Sequence, residues 1–140
     1  MALHAAPTAP AVPAATTVQL HGQQFTIELA TTDAARTQGL MNRTHLAADR
    51  GMLFVFAESA PQAFWMKNTL IPLDILYFDD ARRLVSMQLN VPPCKADPCA
   101  VYPSNAAARY VLELAAGTAR RLGLRDGDVL TINGDVGAVR

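Results

Sequence analysis

Lys67, Asn68 and Asp74 stand inside an otherwise strongly apolar run, Phe64-Trp65-Met66-Lys67-Asn68-Thr69-Leu70-Ile71-Pro72-Leu73-Asp74-Ile75-Leu76-Tyr77-Phe78-Asp79. Burying a neutral polar group unpaired costs roughly 2–7 kcal/mol, and a charge costs more. These residues must therefore be paired, solvated in a cleft, or used. In one reading an Arg or Lys pairs with Asp74, with Arg36 and Arg43 bracketing the Gly39-Leu40-Met41 turn and Lys67 nearby in sequence, and the ion pair keeps an aspartate beside Leu73 and Ile75 and fixes the strand register. In a second, Arg43 and Lys67 hold a small polar or anionic ligand, or a cell-envelope component. Trp65 then gives it a flat apolar wall, and Asn68 and Asp74 orient it. In a third, Asp74 with Lys67, or Glu113 with an arginine, exchanges protons with a substrate, because a carboxylate and a cation shift one another's pKa.

The rest of a reaction mechanism has no recognisable motif. A Ser/His/Asp or Cys/His set, carboxylates at a characteristic spacing and a phosphate-cradling glycine loop are all missing from the pattern. A non-catalytic binding or accessory module is the preferred reading. An enzyme working through the Lys67/Asp74 cluster and a purely structural or protein-interaction module are the alternatives. Glu113, between Leu112 and Leu114, projects to the opposite face of its strand and is expected to be solvated or paired. Met41, Met52, Met66 and Met87 suit soft Cu(I), but each lies beside Leu, Phe or Trp in strand-like sequence, where Met fills core gaps.

Cys94-Lys95-Ala96-Asp97-Pro98-Cys99 follows Pro92-Pro93, so both thiols fall in a turn-rich loop within reach of a disulfide. Closing so short a loop stabilises by only about 2 kcal/mol in the chain-entropy model, so the bridge would pin the loop and not the fold. The spacing is wider than a Cys-x-x-Cys redox centre. Zinc would need further ligands, and the histidines are only His4, His21 and His45; no metal or cofactor is expected. A lasting disulfide favours the periplasm or cell exterior. Met1 to Thr17, rich in Ala, Pro and Thr, reads as a flexible lead-in such as follows the cleavage site of an export signal. A disordered start to a cytoplasmic protein is the alternative.

One domain over residues 18–140 fits the length, since a chain of 140 residues can bury a core unaided. No apolar run approaches the roughly 20 residues that span a bilayer. Twelve basic and twelve acidic residues balance, which offers no dense cationic surface for nucleic acid.

Period-two alternation recurs and predicts strands. Phe25, Ile27 and Leu29 alternate with polar residues after a His21-Gly22 turn, and Val85, Met87, Leu89 and Val91 do the same. Gly51 to Phe56 reads as a buried strand, and Ala63 to Phe78 as two strands broken at Asn68-Thr69 or Pro72. Tyr110 to Leu114 and Val129 to Ile132 read as two more. Thr31-Thr32-Asp33 predicts a short helix to Gln38 closed by Gly39; Thr44 to Asp49 predicts a helical turn, and Thr118 caps a short helix ending at Gly123. The fold class is mainly β (α+β), a β-rich sheet or barrel with two or three short helices.

Gly39-Leu40-Met41-x-Arg43, Gly51-Met52-Leu53-Phe54, Phe64-Trp65-Met66-Lys67-Asn68-Thr69-x-x-Pro72-Leu73-Asp74, Val111-Leu112-Glu113-Leu114 with Gly117, and Gly127-Asp128 together resemble the domain of unknown function 192 family (uncharacterised protein family 0127). The resemblance spans about Val18 to Ile132. It implies a single mainly β domain, often exported in bacteria, whose biochemical activity is not established. The cysteine loop is not part of the shared pattern.

Overall fold

The computed structural model describes residues 15–140. Most of the expected lead-in therefore lies outside the described residues, and Thr17, its last position, already opens the first strand. The elements run β1 (Thr17–Leu20), β2 (Gln23–Ala30), α1 (Asp33–Gln38), β3 (Arg50–Trp65), β4 (Leu73–Phe78), β5 (Leu84–Val91), β6 (Val101–Ala115), α2 (Thr118–Leu122) and β7 (Thr131–Asn133). All seven strands share one sheet, in the order β5-β4-β6-β3-β2-β1-β7, and the class is mainly β as expected. His21 and Gly22 both take positive φ, 51° and 83°, the geometry that a tight two-residue hairpin turn demands.

The sheet curls into a half-barrel until its two ends touch. Arg83 bridges Val129, the Leu84 amide donates to Asp128, and the Gly127 amide donates back to Leu84 at 2.7 Å. The curl creates an inside, where residues from both ends of the sheet meet, among them Leu20, Phe25, Leu84 and Leu130 with Leu53, Leu76 and Leu112. The opposite face carries a second apolar cluster of Met52, Phe54, Ile75, Tyr77 and Val111, covered by Leu40, Met66 and the flank of α1. β4, residues 51–55 of β3 and residues 110–114 of β6 are therefore buried on both faces, which is why those stretches read as nearly continuous apolar runs.

Several bounds differ from the sequence reading. α1 is capped by Thr32 and closed by Gly39 as expected, but Thr44 to Asp49 forms turns and no helix. Only Leu46 packs down from that segment, too little for a helical stripe. α2 begins after Gly117, so Thr118 is its first residue and its hydroxyl donates back to the Ala115 carbonyl at 2.6 Å. β3 and β6 are far longer than expected, because Pro61 and Pro103 sit inside them. Both prolines lie where β3 and β6 pair only with each other, so each strand has a free edge and the missing N–H forfeits no ladder bond.

Gly51 marks the tightest approach of β3 to β6: a Cβ there would stand 2.6 Å from Leu114 Cδ2 and 2.7 Å from the Glu113 carbonyl oxygen. The second atom is backbone and cannot move aside cheaply. Gly51→Ala is expected to destabilise the protein by about 1–3 kcal/mol, the usual range for overpacking, measured as a lower urea midpoint at unchanged slope.

Candidate functional site

Asp74 and Glu113 are the only carboxylates that the fold buries among the described residues, and they are treated in opposite ways. Asp74 is fully buried on the inner face. Opposite it, β5 carries an irregularity between the Leu73–Val91 and Ile75–Gln88 pairs, and Asn90 there takes a positive φ of 51°. Asp74 Oδ1 accepts the Asn90 amide at 2.9 Å, and Oδ2 accepts the Ala119 amide at 2.9 Å. It thus caps α2 from another strand, where Gly117 has no side chain to do so, and satisfies the amide that the β5 irregularity frees.

The expected ion pair to Asp74 is not formed; no cation bridges it among the described residues. Arg43 instead makes a bidentate pair with Glu28, 2.7 and 2.9 Å, near the surface. That hydrogen bond holds the Glu28 carboxyl below its ordinary range and raises the Arg43 guanidinium. An exposed pair of this kind contributes about 0.2–1 kcal/mol. Lys67 lies 3.7 Å from Asp97 in the cysteine loop and 5.4 Å above the Trp65 ring. Asn68 takes a left-handed φ of 55°, and its carbonyl accepts the Asn42 amide at 2.8 Å. That conformation suits Asn in a tight turn. Lys67 and Asn68 border a shallow hollow of about 160 Å³ beside Cys94 and Cys99, which form the expected disulfide.

The larger cavity, about 380 Å³, lies on the outer face. It exists because the β3–β6 ladder bends: between the Val55–Tyr110 and Ala60–Ala108 pairs, β3 places residues 56–59 against Arg109 alone. Arg109 Nε donates to the Phe56 carbonyl at 3.2 Å and pins the bend. Beyond it the ribbon turns back over the sheet, so that the Phe64 ring packs edge-on against Phe54 at 4.9 Å and Tyr77 at 6.0 Å. The Tyr77 hydroxyl, whose pKa burial drives upward, donates to the Tyr102 carbonyl at 2.5 Å and ties the ribbon down. Phe54, Phe56, Phe64, Trp65, Leu40 and Met41 form the walls.

Glu113 lines this cavity and is 4% exposed. The expectation that it would be solvated or salt-bridged is corrected. Its neighbours across the ladders are Met52 and Ile75, so the side chain shares their apolar face. Burial is the one cause that moves its pKa, from the ordinary 4.5 to about 8. No described residue donates a hydrogen bond to it, yet no fully sealed polar side-chain atom goes unpartnered. Its carboxyl therefore opens onto the cavity. Arg36 also lines the cavity, but its guanidinium is taken up: Nη1 donates to the Val55 carbonyl at 2.8 Å, and Nη2 donates to Asp33 at 2.8 Å and to the Arg140 carbonyl. Of the expected ligand-binding residues Arg43, Trp65, Lys67, Asn68 and Asp74, Trp65 alone lines this cavity, with Glu113 and Met41 beside it. In the sequence Glu113 stood out as one acid among four apolar residues, Tyr110-Val111-Leu112 and Leu114, and was offered with an arginine as a proton-exchanging pair; that arginine partner is not found among the described residues. Among the described residues no three His, Cys, Asp or Glu side chains cluster to share a metal ion.

A family model described as "Uncharacterized ACR, COG1430" matches residues 16–132. The chain belongs to the domain of unknown function 192 family. Two solved structures are similar throughout. A Sinorhizobium meliloti protein described as a candidate transcription regulator is 39% identical, with a TM-score of 0.77, covering 90% of this chain and 98% of its own. A protein of unknown function from Novosphingobium aromaticivorans is 34% identical, with a TM-score of 0.76, covering 91% and 99%. None of the curated proteins matches the family member described here.

Two substitutions separate the two acids. Asp74→Ala leaves the buried Ala119 amide and the part-buried Asn90 amide without an acceptor and is expected to cost roughly 2–4 kcal/mol, read from urea denaturation. Glu113→Gln acts through pH. The unfolded chain loses the Glu113 proton near pH 4.5 and the folded chain only near 8. The wild type therefore loses stability as pH rises through that window, by at most about 1.4 kcal/mol per pH unit. The Gln variant should lack this loss; equal slopes at pH 5 to 8 would show that Glu113 is not buried as an acid.

Proposed function

We propose that this family member is a non-catalytic module that binds a small molecule in the outer-face cavity, with Glu113 at its floor and Trp65 in its wall. One observation carries the reading: a buried acid that faces an aromatic-walled cavity without a partner among the described residues. Leaving such a group unsatisfied is expensive, and a ligand that bonds to it recovers the loss. The volume lies at the small end of ordinary ligand sites, which run about 300–1,000 Å³. The hollow beside Lys67 and Asn68 is a lesser place for a polar or anionic group, reached across the Trp65–Lys67 contact. The Cys94–Cys99 disulfide supports an exported protein; no described helix is long and apolar enough to cross a membrane.

An enzyme at the same cavity is the second reading, favoured by one point: an acid with a pKa of about 8 is suited to proton transfer at neutral pH. The regulatory description of the Sinorhizobium relative gains no support here from charge, since acids and bases balance.

Trp65 is the only tryptophan in the chain, so its emission reports on the cavity wall. In a fragment screen, genuine ligands should raise the melting temperature, shift Trp65 emission, and bind Glu113→Gln at least tenfold more weakly. Fragments that stabilise the protein yet leave emission unchanged and bind both forms equally would place binding elsewhere and end this reading.

A further inference from the structure

Resting on that reading of the cavity, we infer that its ligand is an organic cation, a ring-bearing or alkyl amine whose ammonium group docks on Glu113 between the aromatic walls.

The charge arrangement carries the inference. Among the described residues Glu113 is the one ionisable group lining the cavity without a partner. Arg36, at the rim, has its guanidinium committed to Asp33 and to the Val55 and Arg140 carbonyls. Tyr77, the titratable group facing Glu113 from β4, is a neutral phenol whose hydroxyl is spent on Tyr102. β3 contributes only apolar and amide side chains, Phe54, Phe56, Phe64 and Gln62 among them, and Thr69 adds a hydroxyl turned to the Lys67 carbonyl. Arg43 is drawn off by Glu28. Below about pH 8 Glu113 is held as the neutral acid, and no described residue supplies the cation that would let it ionise.

The walls fit the same charge. Aromatic faces attract cations, and two rings of this cavity already do so on the protein's own account: Arg36 lies 5.2 Å from the Phe56 centroid and Lys67 5.4 Å from the Trp65 centroid. An ammonium against a carboxylate forms a charge-assisted hydrogen bond about twice as strong as a neutral one, and the apolar walls take the ligand's hydrocarbon. A carboxylate ligand would meet like charge, or force Glu113 to stay protonated. An alcohol or amide would bond to the neutral acid but would not draw Glu113 into its ionised form. The proton balance follows directly. The free acid gives its proton to solvent as the ammonium arrives, so binding below pH 8 releases up to one proton.

The test is a matched panel of phenyl-alkyl amines, alcohols and carboxylates with two-to-four-carbon tails, titrated into the full chain at pH 7 by calorimetry in two buffers of different ionisation enthalpy. Trp65 emission is followed in parallel. At least one amine should bind tenfold or more tighter than its alcohol, release protons, shift Trp65 emission and tighten as pH rises from 6 to 8. Glu113→Gln should erase the preference for the amine. Alcohols that bind as well as amines without proton release would overturn the ligand class and leave the binding site standing. Failure of every amine at ~10 mM would also overturn it; crystals soaked with the neutral members would then show whether the cavity takes any ligand, and an unfilled cavity would remove the binding reading too.

Discussion

The antiparallel pairing of β3 with β6 is the constraint on which the other parts depend. Where the two strands run straight, from Gly51 to Val55 against Tyr110 to Leu114, they form the middle of the sheet and are buried on both faces. The backbones are held so close at Gly51 that no Cβ fits. Where β3 spends residues 56–59 against Arg109 alone, the same ladder bends out of the sheet. A β-bulge turns a strand by leaving residues unpaired, and this one turns it enough to lay Phe64 on Phe54 and Tyr77. The straight part makes the core and the bent part makes the cavity.

The two buried acids show how context assigns roles to one residue type. Asp74 is surrounded by leucines and still finds two backbone amides, one from a bulged strand and one from a helix start. It is a structural cap. Glu113 lies on the other face of the same sheet, without an amide or a cation among the described residues, and opens onto the cavity. The costs are of similar kind, because desolvating a carboxylate is expensive wherever it happens. What differs is who relieves them.

The sequence disclosed the local elements well and the long-range ones poorly. Thr32 and Gly39 bound α1 as their side-chain and backbone chemistry dictates, and His21-Gly22 forms its turn because the residues permit positive φ. The Cys94–Cys99 bridge needed only five residues of separation. By contrast, the reading of Asp74 as half of an ion pair failed, because its partners are backbone amides 16 and 45 residues away, and amides carry no sequence signature. The true lengths of β3 and β6 were hidden by Pro61 and Pro103, which look like breakers until the free edges of the ribbon are known. Glu113 was misplaced for a related reason: alternation within one strand gives a face, but only the neighbouring strands decide whether that face meets water.

The contact between Leu84 and the Gly127–Asp128 turn also bears on how the molecule behaves in company. An open seven-stranded sheet ends in two rows of unsatisfied backbone groups, and such rows recruit strands from other chains. Here one terminal strand has only three residues, Thr131–Asn133. The other terminal strand, β5, is met at its first residue by the segment leading into β7. Little exposed ladder is left at the place where the ends meet. At that seam the backbone groups of the two ends satisfy each other, so the seam itself offers no ladder to a strand from another chain.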